Sequence, residues 1–276
     1  MTPAHDGRQE GRAADEPMFG PDSVTRQVIK EPFCALGGFR ALFLQALHPR
    51  TVAAVEQNSA YRRQPLQRLA AVRRYLQATT AGTVAEARAA GDRLRAVHAT
   101  LTAYDPVTGE EYRVDSPDLL RWVHVVEVES YLDAALRTGL RLSPQQVDAY
   151  YAEQTTRAAL VSLDPATVPD TAQKVADYYD RVRADLHVTK EAVSVAAYLV
   201  TPRVLMPLNP LTPIWAPVAL AAYAMLPAWA RALYGIAGPP ATDQVLDRVL
   251  GLAGSLAAGI PAAAWDAIAQ LLPEPS

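Results

Sequence analysis

The chain has 276 residues, half of them hydrophobic, a fifth charged, and a net charge of −3. That balance belongs to a globular protein able to bury a sizeable core, and its charge offers no overall basic field for nucleic acid. One cysteine, Cys34, excludes an internal disulfide framework and a cysteine metal cluster.

Residues 1–20 are polar with mixed charge and carry no apolar stretch. They read as a disordered tail, neither signal peptide nor anchor, and the protein as cytoplasmic. Residues 21–276 read as one mainly α domain. Asp22 or Ser23 caps a short helix that Glu31-Pro32 breaks. In the next helix, Phe33 to Leu47, the residues Leu36, Phe39, Leu42, Phe43, Ala46 and Leu47 form a broad apolar stripe. Gly37-Gly38 within it allows close approach of another helix or a flat ligand. His48-Pro49 ends it, and His48 reads as a cation suited to a helix terminus. A helical piece follows from Arg50 to Asn58. Pro65 then opens another helix with the apolar row Leu69, Val72 and Leu76 beside Arg68.

Thr83 with Glu86 three residues later reads as a capping box for the next helix. Val84, Ala87, Gly91, Leu94 and His98 fall in one row of that helix. A lone histidine on such a row is either a satisfied core side chain or a metal ligand, and the spacing leaves both open.

Turn chemistry from Tyr104 to Gly109 and alternation at Glu111 to Val114 predict a small β-hairpin. Ser116-Pro117 opens a helix to Thr138 that is apolar nearly all round, with His124, Glu127 and Tyr131 on one stripe, read as an internal hydrogen-bonded set or as a supporting network in a pocket wall. Further helices are predicted from Ser143 to Ala159, from Asp170 to Leu186 and from Thr189 to Val200. Between Arg203 and Arg231 no charged residue occurs, but five prolines interrupt the segment. It therefore predicts a kinked buried helix pair or pocket lining and no integral membrane span. Two amphipathic helices, 243–258 and 261–272, end the chain. No dinucleotide fingerprint, phosphate loop, HExxH or GxSxG occurs.

The residues Gly37 to Pro49 (GGFRALFLQALHP), Asn58 to Tyr61 (NSAY), a helix opening with Arg68, Gly82-Thr83 and Arg93 to Ala99 (RLRAVHA) come in a telling order. With the Gly109 to Tyr112 hairpin, Leu120 to His124, and Leu226 to Gly235, they resemble the family of latex-clearing proteins and mycophenolate-pathway oxygenases. The resemblance runs from about residue 21 to 235. It implies a single helical domain with a globin-like core holding haem b, in which His98 matches the iron's axial ligand. It implies Arg68 as the catalytic distal residue, with Arg68, Val72 and Gly38 at the cofactor. The family's distal side carries a threonine four residues after the arginine, and in the rubber enzymes a lysine between them. Here those positions are Val72 and Ala71, so polyisoprene is not the expected substrate.

The resulting expectation is a haem-dependent oxygenase or oxidase acting on a small apolar substrate, such as a secondary metabolite, with dioxygen or peroxide and an electron donor where one is needed. The competing readings are a non-catalytic haem or lipophile binder, and a helical interaction protein with His98 in its core.

Overall fold

The computed structural model describes residues 14–201, 212–236 and 242–259. The fold is mainly α. The described helices are α1 (Val24–Lys30), α2 (Cys34–Gln45), α3 (Pro49–Asn58), α4 (Pro65–Thr80), α5 (Val84–His98), α6 (Pro117–Arg137), α7 (Pro144–Ala159), α8 (Ala172–Val182), α9 (Lys190–Val200), α10 (Thr212–Ala224), α11 (Ala228–Leu233) and α12 (Thr242–Ala258). One antiparallel hairpin, β1 (Thr102–Tyr104) with β2 (Glu111–Arg113), pairs Ala103 with Tyr112.

Local chemistry sets most boundaries. Ser23, Thr83, Ser143, Thr171 and Thr189 each accept a backbone N–H at a helix start, and Glu86 and Gln146 complete reciprocal capping boxes. Proline opens α3, α4, α6 and α7, where the missing N–H costs nothing.

The core is built on α2 against α6. Phe43, Leu44, Trp122 and Val126 are fully buried there. A β-carbon at Gly37 would lie 2.5 Å from the Ser130 carbonyl oxygen, so this glycine lets the two backbones touch. Arg40, also buried, pairs with Glu129 and Asp133, donates to Ser130 Oγ, and reaches the Met225 carbonyl at 3.1 Å. Burial opposes its charge, but the two carboxylates outweigh it and hold the guanidinium protonated.

The structure differs from the sequence expectations at several points. Residues 14–20 do not continue the tail. Pro17 bridges to Thr83, and Met18 and Phe19 are buried against Val84, Ala87 and Leu160. His48 is not a helix-end cation. It precedes α3 as its N-cap residue, its Nδ1 is buried without a partner, and burial lowers its pKa. Residues 202–211, part of the uncharged segment, and the helix expected over 261–272 lie outside the described residues. Beyond that gap, Pro217 sits inside α10. Among the described residues no helix is long and apolar enough to cross a membrane.

The two adjacent glycines of α2 make opposite predictions. A β-carbon at Gly38 would meet only the Tyr131 hydroxyl, at 3.3 Å, the movable end of a side chain. Gly37→Ala is expected to destabilise the fold by about 1–3 kcal/mol through overpacking. Gly38→Ala is expected to be neutral or stabilising by up to about 1 kcal/mol, because alanine favours the helix. Urea unfolding midpoints of the two variants check both.

Candidate functional site

Arg68 and His98 belong to one antiparallel unit, the α4–α5 hairpin, closed by Ala81-Gly82-Thr83. Its closed end is firmly docked. Met18 N donates to Gly82 O, Val84 N to Glu16 O, and Arg26 reaches Ala81 O. On α5 the inner row is shut at Val84, Ala87 and Gly91. A β-carbon at Gly91 would come within 2.6 Å of the Leu160 carbonyl oxygen, which also accepts from Arg95. This is where α5 touches the body.

Beyond that contact the hairpin stands off. Leu94 and His98 continue the inner row of α5 but are only half-buried. On α4 the inner sector is closed at Thr79 and Thr80, yet Arg68, Leu69 and Val72, two to three turns earlier, are exposed. Leu69 keeps 46% of its surface and Val72 37%. Because the helices run antiparallel, the open part of α4 lies beside the open part of α5. Side chains expected to face the core are left only partly covered there.

Arg68 shows this directly. Its side chain has accessible surface, yet surrounding protein desolvates it enough to lower its pKa. Both hold for a group inside an open hollow. Among the described residues Arg68 has no carboxylate or hydrogen-bond partner. It lies close enough to His98 to disfavour the imidazolium. Desolvation lowers the His98 pKa first, Arg68 lowers it further, and Asp115 opposes them. His98 is therefore a neutral imidazole at neutral pH, with a nitrogen lone pair available to a ligand.

The β-hairpin fixes the end of α5 that carries His98. Arg113 donates to the Ala99 carbonyl and grips Asp115 through Nε at 2.9 Å and a terminal nitrogen at 2.6 Å. The hairpin in turn hangs on α3. Gln57 exchanges two hydrogen bonds with the Tyr104 backbone, Asn58 donates to Thr102 O, and Arg50 pairs with Asp105. Asp115 had no periodic or motif signal in the sequence. Its relation to His98 exists only through the hairpin.

Of the other sequence candidates, Val72 joins Arg68 on the open sector. Gly38 is half-buried, and its nearest neighbour on another element is the Tyr131 hydroxyl. Leu42, one turn on from Gly38, keeps 44% of its surface in an otherwise buried helix, so this face of α2 is also uncovered. The expected set of His124, Glu127 and Tyr131 does not form. Glu127 pairs with Arg157, which also bonds Gln154, and Gln154 bonds Thr25. His124 Nε2 is buried without a partner, against a small void beside Val125, Val128 and Val168. Among the described residues no three His, Cys, Asp or Glu side chains gather to hold a bare metal ion.

His124 gives a pH prediction. Burial, then the Arg157 charge, lowers its pKa from 6.5 to about 3. Below pH 6.5 the unfolded chain binds a proton there that the folded chain refuses, so folding stability falls as the pH drops from 6.5 towards 3. The slope from this one group is at most about 1.4 kcal/mol per pH unit. His124→Gln should flatten the pH dependence of the urea midpoint across that window, with His48 and His98 leaving a residual slope of the same sign.

Compared with known proteins, the chain matches no curated protein and no solved structure. A family model does match, over residues 25–261, which include α2 through α12 and both strands. Its description is ER-bound oxygenase mpaB/B'/Rubber oxygenase, catalytic domain. The chain therefore belongs to the mpaB and rubber oxygenase catalytic-domain family, and it is an oxidoreductase of the oxygenase class.

Proposed function

We propose that this oxygenase works with haem b, held in the hollow of the α4–α5 hairpin, and acts on a small apolar substrate. The observation that carries the reading is the pair Arg68 and His98. They are close enough to interact electrostatically, they stand on one helical hairpin, and neither side chain has a hydrogen-bond partner among the described residues. The residues fit the group. A haem needs one neutral axial imidazole and apolar walls from the protein, because the macrocycle supplies its other ligands. His98 is neutral, and Leu69 and Val72 present apolar surface beside Arg68. When bound, haem would supply the activation of dioxygen or peroxide.

The chain's own residues do the rest. His98 would hold the iron, and the Arg113–Asp115–Ala99 clamp fixes the helix end from which it projects. Arg68, a cation without a counter-charge among the described residues, would stabilise negative charge developing on oxygen during the reaction. Ala71 and Val72 add no proton donor there, so any proton must come from Arg68, water or substrate. The apolar surfaces of Leu69 and Val72 suit an apolar substrate. An electron donor serves the reaction if the oxidant is dioxygen and the substrate does not supply all the electrons.

Two variants test this. Purified protein supplied with haem should show a Soret band, and His98→Ala should lose or shift it strongly. Arg68→Ala should keep the haem spectrum while turnover with dioxygen and apolar test substrates falls about 10²-fold, the typical loss of one preorganised charge. An unchanged His98→Ala spectrum would remove the ligand assignment, and full activity in Arg68→Ala would remove the distal role.

A further inference from the structure

The charge of this chain is unevenly placed. Residues 62–98 hold eight arginines and two acidic residues, in a chain whose net charge is −3. The stretch is therefore strongly cationic within an otherwise acidic protein. Elsewhere exposed cations are mostly matched locally: Arg113 with Asp115, Arg121 with Asp118, Lys174 with Asp170, Arg183 with Asp180. Arg63, two residues before α4, and Arg73, Arg74 and Arg93 on the α4–α5 hairpin are exposed, and none of their side chains has a carboxylate or hydrogen-bond partner among the described residues.

Their placement makes them one surface. Arg74 lies six residues before the end of α4 and Arg93 nine residues after the start of α5. At 1.5 Å per residue, their levels along the hairpin differ by only about 5 Å. Each sits on the side of its helix opposite the buried row, roughly half a turn from Thr79 in α4 and from Ala87 and Gly91 in α5. Arg73 adjoins Arg74, and Arg63 extends the patch towards the open end that holds Arg68 and His98.

We propose that the outer face of the α4–α5 hairpin is the docking surface for an acidic protein. Four like charges held without counter-ions on rigid helices raise the local potential and steer an oppositely charged partner. Other polyanions fit less well. The outward sector of these helices is Gln67, Arg74 and Gln77 with Ala85, Ala89, Arg93 and Val97, and the single exposed valine is too little apolar surface to anchor in a bilayer. It also has no exposed aromatic on which a nucleic-acid base could stack.

The surface itself does not depend on the haem reading. Only the choice of an electron-transfer protein as one probe rests on it. The test measures binding of the full chain to fluorescent poly-L-glutamate and to an acidic [2Fe–2S] ferredoxin at 25 and 300 mM salt. Phosphatidylserine vesicles and a single-stranded oligonucleotide serve as competing probes. An acidic-protein site predicts that both protein probes bind and weaken about tenfold or more in the higher salt. Binding should be lost in Arg73→Glu/Arg74→Glu/Arg93→Glu and kept in the matching triple lysine variant, with helicity unchanged in both. No binding of either protein probe, binding indifferent to the triple reversal, or tighter binding of vesicles or oligonucleotide would each overturn the proposal. Haem content, read separately from the Soret band, reports on the oxygenase reading alone.

Discussion

The contact between α2 and α6 is the constraint on which the other elements depend. Gly37 removes the side chain that would keep the two backbones apart, and Arg40 then fills the space beside it with charge. A buried guanidinium is costly unless every direction is satisfied. Here Glu129, Asp133 and Ser130 come from α6, Tyr179 of α8 shares Glu129, and the Met225 carbonyl after α10 takes the Nε hydrogen. One side chain thus fixes four elements by electrostatics and hydrogen bonding. Trp122, Phe43 and Leu44 supply the apolar burial around it.

Against that rigid pair the α4–α5 hairpin is held at its closed end by the body and at its other end by the β-hairpin. The 16–19 segment and the Leu160 carbonyl hold its closed end. Its other end carries Arg68 and His98 over a hollow, steadied by the β-hairpin that α3 anchors. A packed protein rarely leaves apolar and ionisable side chains facing an unfilled space. That a core-facing sector bears an arginine side chain without a partner among the described residues, together with a histidine and exposed leucine and valine, is the observation on which the proposed site rests. The same hairpin turns its charges outward on the opposite side, so the element that lines the hollow also presents the protein's most cationic surface.

Much of this was legible in the residues. The capping box at Thr83 and Glu86, the prolines opening four helices, and the turn around Gly109 are local chemistry, and the structure forms them as expected. The row Val84, Ala87, Gly91, Leu94 and His98 was also readable, because a helical period depends on spacing alone. What spacing could not say is that the row would be covered for half its length and open for the rest. His48 and the stripe of His124, Glu127 and Tyr131 went differently for the same reason. Glu127 is drawn into a chain with Arg157, Gln154 and Thr25, and His48 lies beside the Trp122 ring, all distant in sequence.

The sequence by itself determined which helices form, where they start, that their inner faces are apolar, and which family the order of motifs resembles. Those properties follow from interactions within a few residues of each other. Only the tertiary structure decided that α5 docks through Gly91 and Arg95 on Leu160, and that Arg68 comes close enough to His98 to disfavour its charge. That outcome depends on where separate elements meet, and side chains far apart in the chain decide it.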